Sequence, residues 1–205
     1  KYGKFNSNTF GIGIGGPIVK NKLFFYLNAE RVERTSPIDF NPADPGTGTT
    51  SYTQEQLKSI YDKVKNTWDV DLGGYTAQEK EFTNTNILGR IDWNISNVHK
   101  LTLRHSYSEA SNVAGTSRSR DAAYFYNSYY SFPSKTNSTT LELNSIFSNR
   151  LSNELRIGLN LVRDNRKYNG EPFTNVRINN PGASFNLGSE FSSLVEALKQ
   201  NNITI

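Results

Sequence analysis

The chain has no cysteine, no methionine and only two histidines. Without thiols it has neither a disulfide framework nor a thiolate metal site. A translation product begins with Met and usually keeps others, so 205 residues that open on Lys1 and contain none are expected to be an internal piece of a longer polypeptide. Long apolar runs are missing too. Nothing approaches the roughly 20 residues that a membrane-spanning helix needs, and mean hydropathy is -0.61. A helical membrane protein is excluded, but a membrane barrel is not, because only alternate residues of its strands face lipid. The net charge of +4 is small and its basic residues are dispersed, so nucleic acid is not an expected partner.

What the chain does contain is alternation. From Phe10 to Arg34 it reads FGIGIGGPIVKNKLFFYLNAERVER. Phe10, Ile12 and Ile14 alternate with Gly11, Gly13 and Gly15, and Leu23, Phe25, Leu27 and Ala29 alternate with Phe24, Tyr26, Asn28 and Glu30. A period of two marks a strand with one apolar face. Pro17 cannot donate to a ladder and Lys20-Asn21-Lys22 tolerates a turn, so residues 17–21 are expected to close an antiparallel hairpin. Two later hairpins repeat the plan. In one, Ile87, Gly89, Ile91, Trp93 and Ile95 oppose Arg90, Asp92 and Asn94; after a turn at residues 96–99, Leu101, Leu103 and Tyr107 oppose Thr102, Arg104, Ser106 and Ser108. In the other, residues 138–147 pair with 153–163 around a turn at 148–152.

The connections between hairpins are long and irregular, at residues 35–82, 111–133 and 164–205. Ordinary hairpin loops run about two to five residues. Short turns at one end of a sheet and long loops at the other are the asymmetry of outer-membrane barrels. Within the first loop, Thr53-Gln54-Glu55-Gln56 has capping-box spacing, and Leu57, Ile60, Tyr61 and Val64 recur at helical intervals, predicting a helix. A second short helix is expected near Phe191, Leu194, Val195 and Leu198. The middle loop carries Tyr124, Tyr126, Tyr129 and Tyr130, which either extend a strand or offer rings to a sugar or peptide.

Signals for catalysis are weak, and no enzyme activity, cofactor or metal is expected. Gly11-Ile12-Gly13-Ile14-Gly15-Gly16 matches a dinucleotide fingerprint in form only, because a turn and a second strand follow it instead of a helix. The glycines are expected to admit the close approach of another backbone. His99 and His105 lack metal-ligand spacing. Asp69-Val70-Asp71 with Gly73-Gly74 is too short for a calcium loop and reads as a surface turn. Arg90, Asp92, Arg104, Glu142 and Arg156 lie mid-strand opposite apolar rows, so in a barrel they face the lumen. Interior charges are usually paired, which makes a salt-bridged network their plainest role.

The opening run, with Gly-Gly-Pro-Ile followed by Lys-Leu-Phe-Phe, resembles the start of the barrel in TonB-dependent outer-membrane receptors, especially the Oar-like group. ILGRIDWNISNVHKLTLRHSY and SKTNSTTLELNSIFSNRLSNELRIGL resemble that family's next two hairpins, so the likeness covers about residues 8–166. It implies an all-β, antiparallel up-and-down transmembrane barrel of about 22 strands with an N-terminal plug. Such a receptor sits in the outer membrane of a Gram-negative bacterium and imports a siderophore, glycan or peptide. Its partners would be outer-membrane lipid, the plug of the same polypeptide, the TonB-ExbB-ExbD complex and a surface lipoprotein.

This chain shows neither plug nor TonB box, and about six strands form only part of such a barrel. It is therefore expected to be the first part of the barrel, with residues 35–82, 111–133 and 164–205 outside the cell. The lumen charges would then meet the plug or guide substrate. An Oar-like role in adhesion or secretion is also compatible with the resemblance. Alternation alone equally allows a secreted or surface β-sandwich that binds carbohydrate or peptide or serves adhesion, since both architectures need one apolar face.

Overall fold

A computed structural model describes residues 5–76, 79–115, 118–171, 173–189 and 197–205. Strand β1 (Asn6–Val19) is followed by β2 (Leu23–Pro37), helix α1 (Gln54–Trp68), β3 (Glu79–Asn94) and β4 (His99–Gly115). Next come the short strands β5 (Ala122–Tyr124) and β6 (Tyr129–Ser131), then β7 (Ser134–Ser148) and β8 (Leu151–Asn165). Strands β9 (Lys167–Tyr168), β10 (Val176–Asn180), β11 (Ala183–Leu187) and β12 (Ala197–Thr204) complete the order. The long strands form one antiparallel sheet in the order β1-β2-β3-β4-β7-β8-β12, with β6 and β9 attached to one side of that path. The three expected hairpins are its backbone, and β12 adds a strand where residues 164–205 read as a loop.

Short connections at residues 20–22, 95–98 and 149–150 lie at one end of the sheet. The first turn differs in detail from expectation. Pro17 stays within β1, opposite Phe24, and the register shifts between Pro17 and Val19. A proline is tolerated there because it sits at this irregularity of the ladder, where a missing N–H is least costly. The reversal itself falls on Asn21, at φ 60, and Lys22 N–H donates to the Val19 carbonyl at 3.0 Å. The glycines of β1 admit the backbone of the neighbouring strand, as expected, and a side chain as well. A Cβ on Gly15 would lie 3.0 Å from the Tyr26 ring, and one on Gly13 3.3 Å from its hydroxyl. A Cβ on Gly15 would also lie 3.0 Å from the Phe25 carbonyl oxygen, so the β2 backbone and the Tyr26 side chain share the space the glycines leave.

Strict alternation gives the sheet two unlike faces. On one face, neighbouring register rows run Ile14, Leu27, Gly89, His105, Thr139, Leu159, Ile203 and then Gly16, Phe25, Ile91, Leu103, Leu141, Ile157. This face is bare: Ile12 is 72% exposed, Leu27 51% and Ile157 42%. None of the buried hydrophobic residues belongs to the seven long strands. No second sheet covers the face among the described residues, so the layer that a sandwich requires is missing.

The hydrophobic core lies instead in the long connections. Tyr52, Leu57, Val64, Leu72, Ala123, Phe125, Ala183, Phe185 and Leu187 pack together, drawing on all three loops. Helix α1 forms as its capping box predicts: Thr53 Oγ1 accepts from Gln56 N–H at 3.3 Å, and Gln56 Oε1 accepts from Thr53 N–H at 2.9 Å. Asp69, at φ 54, ends the helix, and Asp71 Oδ1 accepts from Gly73 N–H, giving the expected surface turn. The last loop is more regular than its composition suggests. Strands β10 and β11 make a hairpin around Pro181 and Gly182, and β11 pairs in parallel with β5 of the middle loop. Of the second expected helix, Phe191, Leu194 and Val195 lie outside the described residues, and Leu198 is in β12.

The parity of the strands yields a direct expectation. Ile157→Arg, in the middle of the bare face, should destabilise the folded protein in lipid by about 2–4 kcal/mol. Ser138→Arg, on the opposite face between Ser106 and Asn160, should stay within about 1 kcal/mol. Denaturant titration of the lipid-reconstituted full-length protein checks both; equal costs would contradict the assignment of faces.

Candidate functional site

On the other face of the sheet, two adjacent register rows converge. One runs Asp92, Thr102, Glu142, Arg156 across β3, β4, β7 and β8; the next runs Arg90, Arg104, Thr140. Together Arg90, Thr102, Arg104, Thr140, Glu142 and Arg156 line a concavity of about 430 Å³, with Asp92 beside it. All five charged residues expected on the polar face are thus brought together. Thr102 shares their alternation, and Thr140 is found only by applying the parity of Glu142 one step further.

Most of these charges are paired. Arg90 Nε lies 2.8 Å from Asp92 Oδ2, and its Nη2 donates to Oδ1 at 2.9 Å. Thr102 Oγ1 also donates to Asp92 Oδ1 at 2.9 Å, and Lys100 Nζ stands 3.7 Å from it. Arg156 donates to Glu142 Oε2 from Nε at 3.2 Å and from Nη2 at 3.0 Å, while Nη2 also reaches Glu154 Oε1 at 2.8 Å. Asn144 Nδ2 holds the remaining Glu142 oxygen at 2.6 Å. Arg104 is the exception. It faces Arg90 directly across the ladder and has no carboxylate partner among the described residues. The arrangement is a salt-bridged wall with one surplus cation, suited to holding an anionic group.

The two histidines do nothing comparable. His99 Nδ1 lies 2.8 Å from Ser145 Oγ, and His105 Nδ1 2.8 Å from Thr139 Oγ1. No metal-binding group of three or more His, Asp or Glu occurs among the described residues.

The tyrosine cluster of the middle loop is drawn into the fold to different degrees, with Tyr124, Tyr126 and Tyr130 half-buried. Tyr129 is only 2% exposed, which withdraws it from ligand contact. Tyr126 stacks on Tyr129 with ring centroids 6.0 Å apart, and its Cβ sits 2.8 Å from where a Gly73 side chain would begin. Tyr130 carries the Arg166 guanidinium 4.0 Å above its ring. The Tyr124 carbonyl accepts from Arg118 Nε at 3.1 Å. Arg118 is itself 4% exposed, a buried cation that no sequence pattern announced.

Burial also governs titration here. Loss of water pushes the Tyr52 phenol up to about 12, against the opposing pull of the Arg118 charge. Its hydroxyl donates to the Phe40 carbonyl at 2.7 Å. Burial likewise raises Tyr126 and Tyr129.

The comparisons with known proteins agree with this geometry. The family model described as "Outer membrane beta barrel domain" matches residues 1–71 and 50–204. No curated protein and no solved structure matches the chain.

Two expectations follow from these groups. Asp92 satisfies Arg90, Thr102 and Lys100 at once and is the less exposed carboxylate, so Asp92→Ala should cost about 1–3 kcal/mol. Glu142→Ala leaves Arg156 with Glu154 and should cost about 1 kcal/mol or less; denaturant midpoints rank the two. In the loops, the unfolded phenol titrates near about 10, so between there and about 12 the native state holds a proton that the unfolded chain has released. Loop-core stability should therefore fall as pH rises through that window. Tyr52→Phe should remove part of the fall, Tyr126 and Tyr129 supplying the rest. Near-UV circular dichroism followed against pH in both proteins checks this.

Proposed function

The chain belongs to the outer membrane beta barrel domain family, and on that premise we propose that it forms one wall of a TonB-dependent receptor importing a bulky nutrient such as a siderophore, glycan or peptide. Membership makes it an outer-membrane protein of a bacterium, with the bare apolar face turned to lipid and the charged face to the lumen. The observation that supports a receptor is the division of labour between the two ends. One end carries minimal turns, while at the other three long connections fold onto a shared hydrophobic core. A pore that only lets solutes diffuse has no need of such a cap, whereas a receptor needs a rigid outer surface on which to present ligand contacts.

In this reading the loops face the exterior and the turns the periplasm. The plug of the same polypeptide occupies the lumen beside the Arg90, Asp92, Arg104, Glu142 and Arg156 wall. TonB-ExbB-ExbD supplies the energy, a surface lipoprotein assists capture, and the chain has no catalytic part. Tyr124, Tyr126 and Tyr130 act by shaping the cap. The resemblance of the three hairpins to Oar-like receptors supports this choice within the family.

The test uses the full-length gene product with its native signal, carrying an epitope near Gly46 or near Asn97. On intact cells the Gly46 epitope should label and the Asn97 epitope should not, and both proteins should fractionate with the outer membrane. Uptake of labelled siderophores, glycans or peptides should then be lost when TonB is inactivated. Labelling of both sites on a released, soluble protein would overturn the receptor and favour a secreted binding module. Uptake that is indifferent to TonB would leave the barrel standing and remove the import mechanism.

A further inference from the structure

The apolar face of the sheet ends abruptly toward the long loops. Its last largely apolar row is Ile12, Ala29, Ile87, Tyr107, Asn137, Leu161, Asn201. The next row on the same face reads Phe10, Arg31, Thr85, Glu109, Lys135, Arg163, Lys199. Tyr107 bridges the change, with its ring in the apolar row and its hydroxyl donating to Glu109 at 2.6 Å. An aromatic ring with one dry end and one wet end marks the boundary between hydrocarbon and headgroups.

Charges in this boundary row are balanced on one side of the sheet only. Arg31 Nε is 2.7 Å from Glu33, and Lys135 Nζ is 2.9 Å from Glu109. Arg163 and Lys199 stand directly opposite one another on β8 and β12, and neither has a carboxylate partner among the described residues. The Arg163 guanidinium reaches only neutral oxygens, those of Val162 at 2.7 Å, Gln200 at 3.0 Å and the Asn201 side chain at 2.7 Å. Like charges facing each other across a ladder repel, and the low dielectric of the adjoining hydrocarbon strengthens the repulsion. An anion between them would relieve it.

We propose that Arg163 and Lys199, with Lys135 alongside, bind the phosphate of a membrane lipid at the loop-side boundary of the bilayer. A lipid phosphate lies at this depth, supplies several acceptor oxygens to a guanidinium and an ammonium, and carries acyl chains that can follow the Leu161, Leu159 and Ile203 rows below it. The proposal rests on the membrane-embedded barrel and is independent of import. The orientation given above decides only that the leaflet is the outer one.

The test is native mass spectrometry of the full-length protein in detergent, titrated with phosphatidic acid. Diacylglycerol of the same acyl chains serves as the phosphate-free control, and inorganic phosphate as competitor. Phosphatidic acid should bind at least tenfold more tightly than diacylglycerol. From about 1 kcal/mol for each basic residue near a lipid surface, Arg163→Gln and Lys199→Gln should each weaken binding roughly fivefold, and together by twenty- to thirtyfold. Lys65→Gln, on helix α1, should change nothing. Equal binding of the two lipids, or unchanged affinity in the double variant, would overturn the site; displacement by equimolar inorganic phosphate would overturn its lipid character. The comparison of lipids on the unsubstituted protein decides the matter even if a variant folds poorly. Because TonB and transport play no part, failure here leaves the receptor reading untouched, and failure of import leaves this site to stand.

Discussion

The backbone ladder is the constraint on which everything else hangs. A strand in hydrocarbon has no water to satisfy an unpaired N–H or C=O, so each long strand must find a neighbour along its whole length. Pairing in turn fixes the register, and register fixes which side chains meet lipid. Ile14, Leu27, Leu159 and Ile203 align in one row because their backbones are paired, and the Arg90 and Arg104 guanidiniums face each other for the same reason. A one-residue slip would send the charged wall into lipid and the isoleucines into the lumen.

The chain consequently folds by two rules at once. Below the boundary row of the long strands, hydrophobic residues are outermost and charges lie on the enclosed side, inverting the order of a water-soluble domain. In the connections the order reverts: Phe125 and Phe185 are fully buried and the charges of helix α1 are outside. Bulk composition averages the two regimes into a polar protein and hides both. Separating them requires the alternation of the strands to be read apart from the loops that join them.

That separation also explains what was legible in the sequence. The hairpins were, because a period of two leaves a local signature in Ile87, Ile91 and Trp93 against Arg90 and Asp92. Helix α1 was too, because Thr53 and Gln56 cap it through contacts three residues apart. Pro17 misled, since its fitness for a strand depends on the cross-strand register, which shifts beside it. The β10 and β11 hairpin left a usable trace in Pro181-Gly182 flanked by Ile178 and Phe185, yet its glycine-rich and proline-rich surroundings resembled an irregular loop. Within the site, the identity and facing of the charges were readable by parity. Their partners were not, because Arg156 meets Glu142 only through a cross-strand register. The tyrosine cluster was ambiguous for the same kind of reason: whether a ring packs or projects depends on residues such as Gly73, far away in sequence.

The shared core of the loops has a consequence for the order of assembly. Tyr52, Phe125 and Phe185 come from three separate connections, and the parallel β5 and β11 pair joins two of them. None of these segments can complete its packing until β3, β4, β7 and β8 have been laid side by side, because those strands hold the loop ends at the right spacing. Closing such distant contacts in an unpaired chain would carry the full loop-closure cost before any compensating burial. The cap is therefore a late event in biogenesis, and its closure reports that the wall beneath it has been built in register.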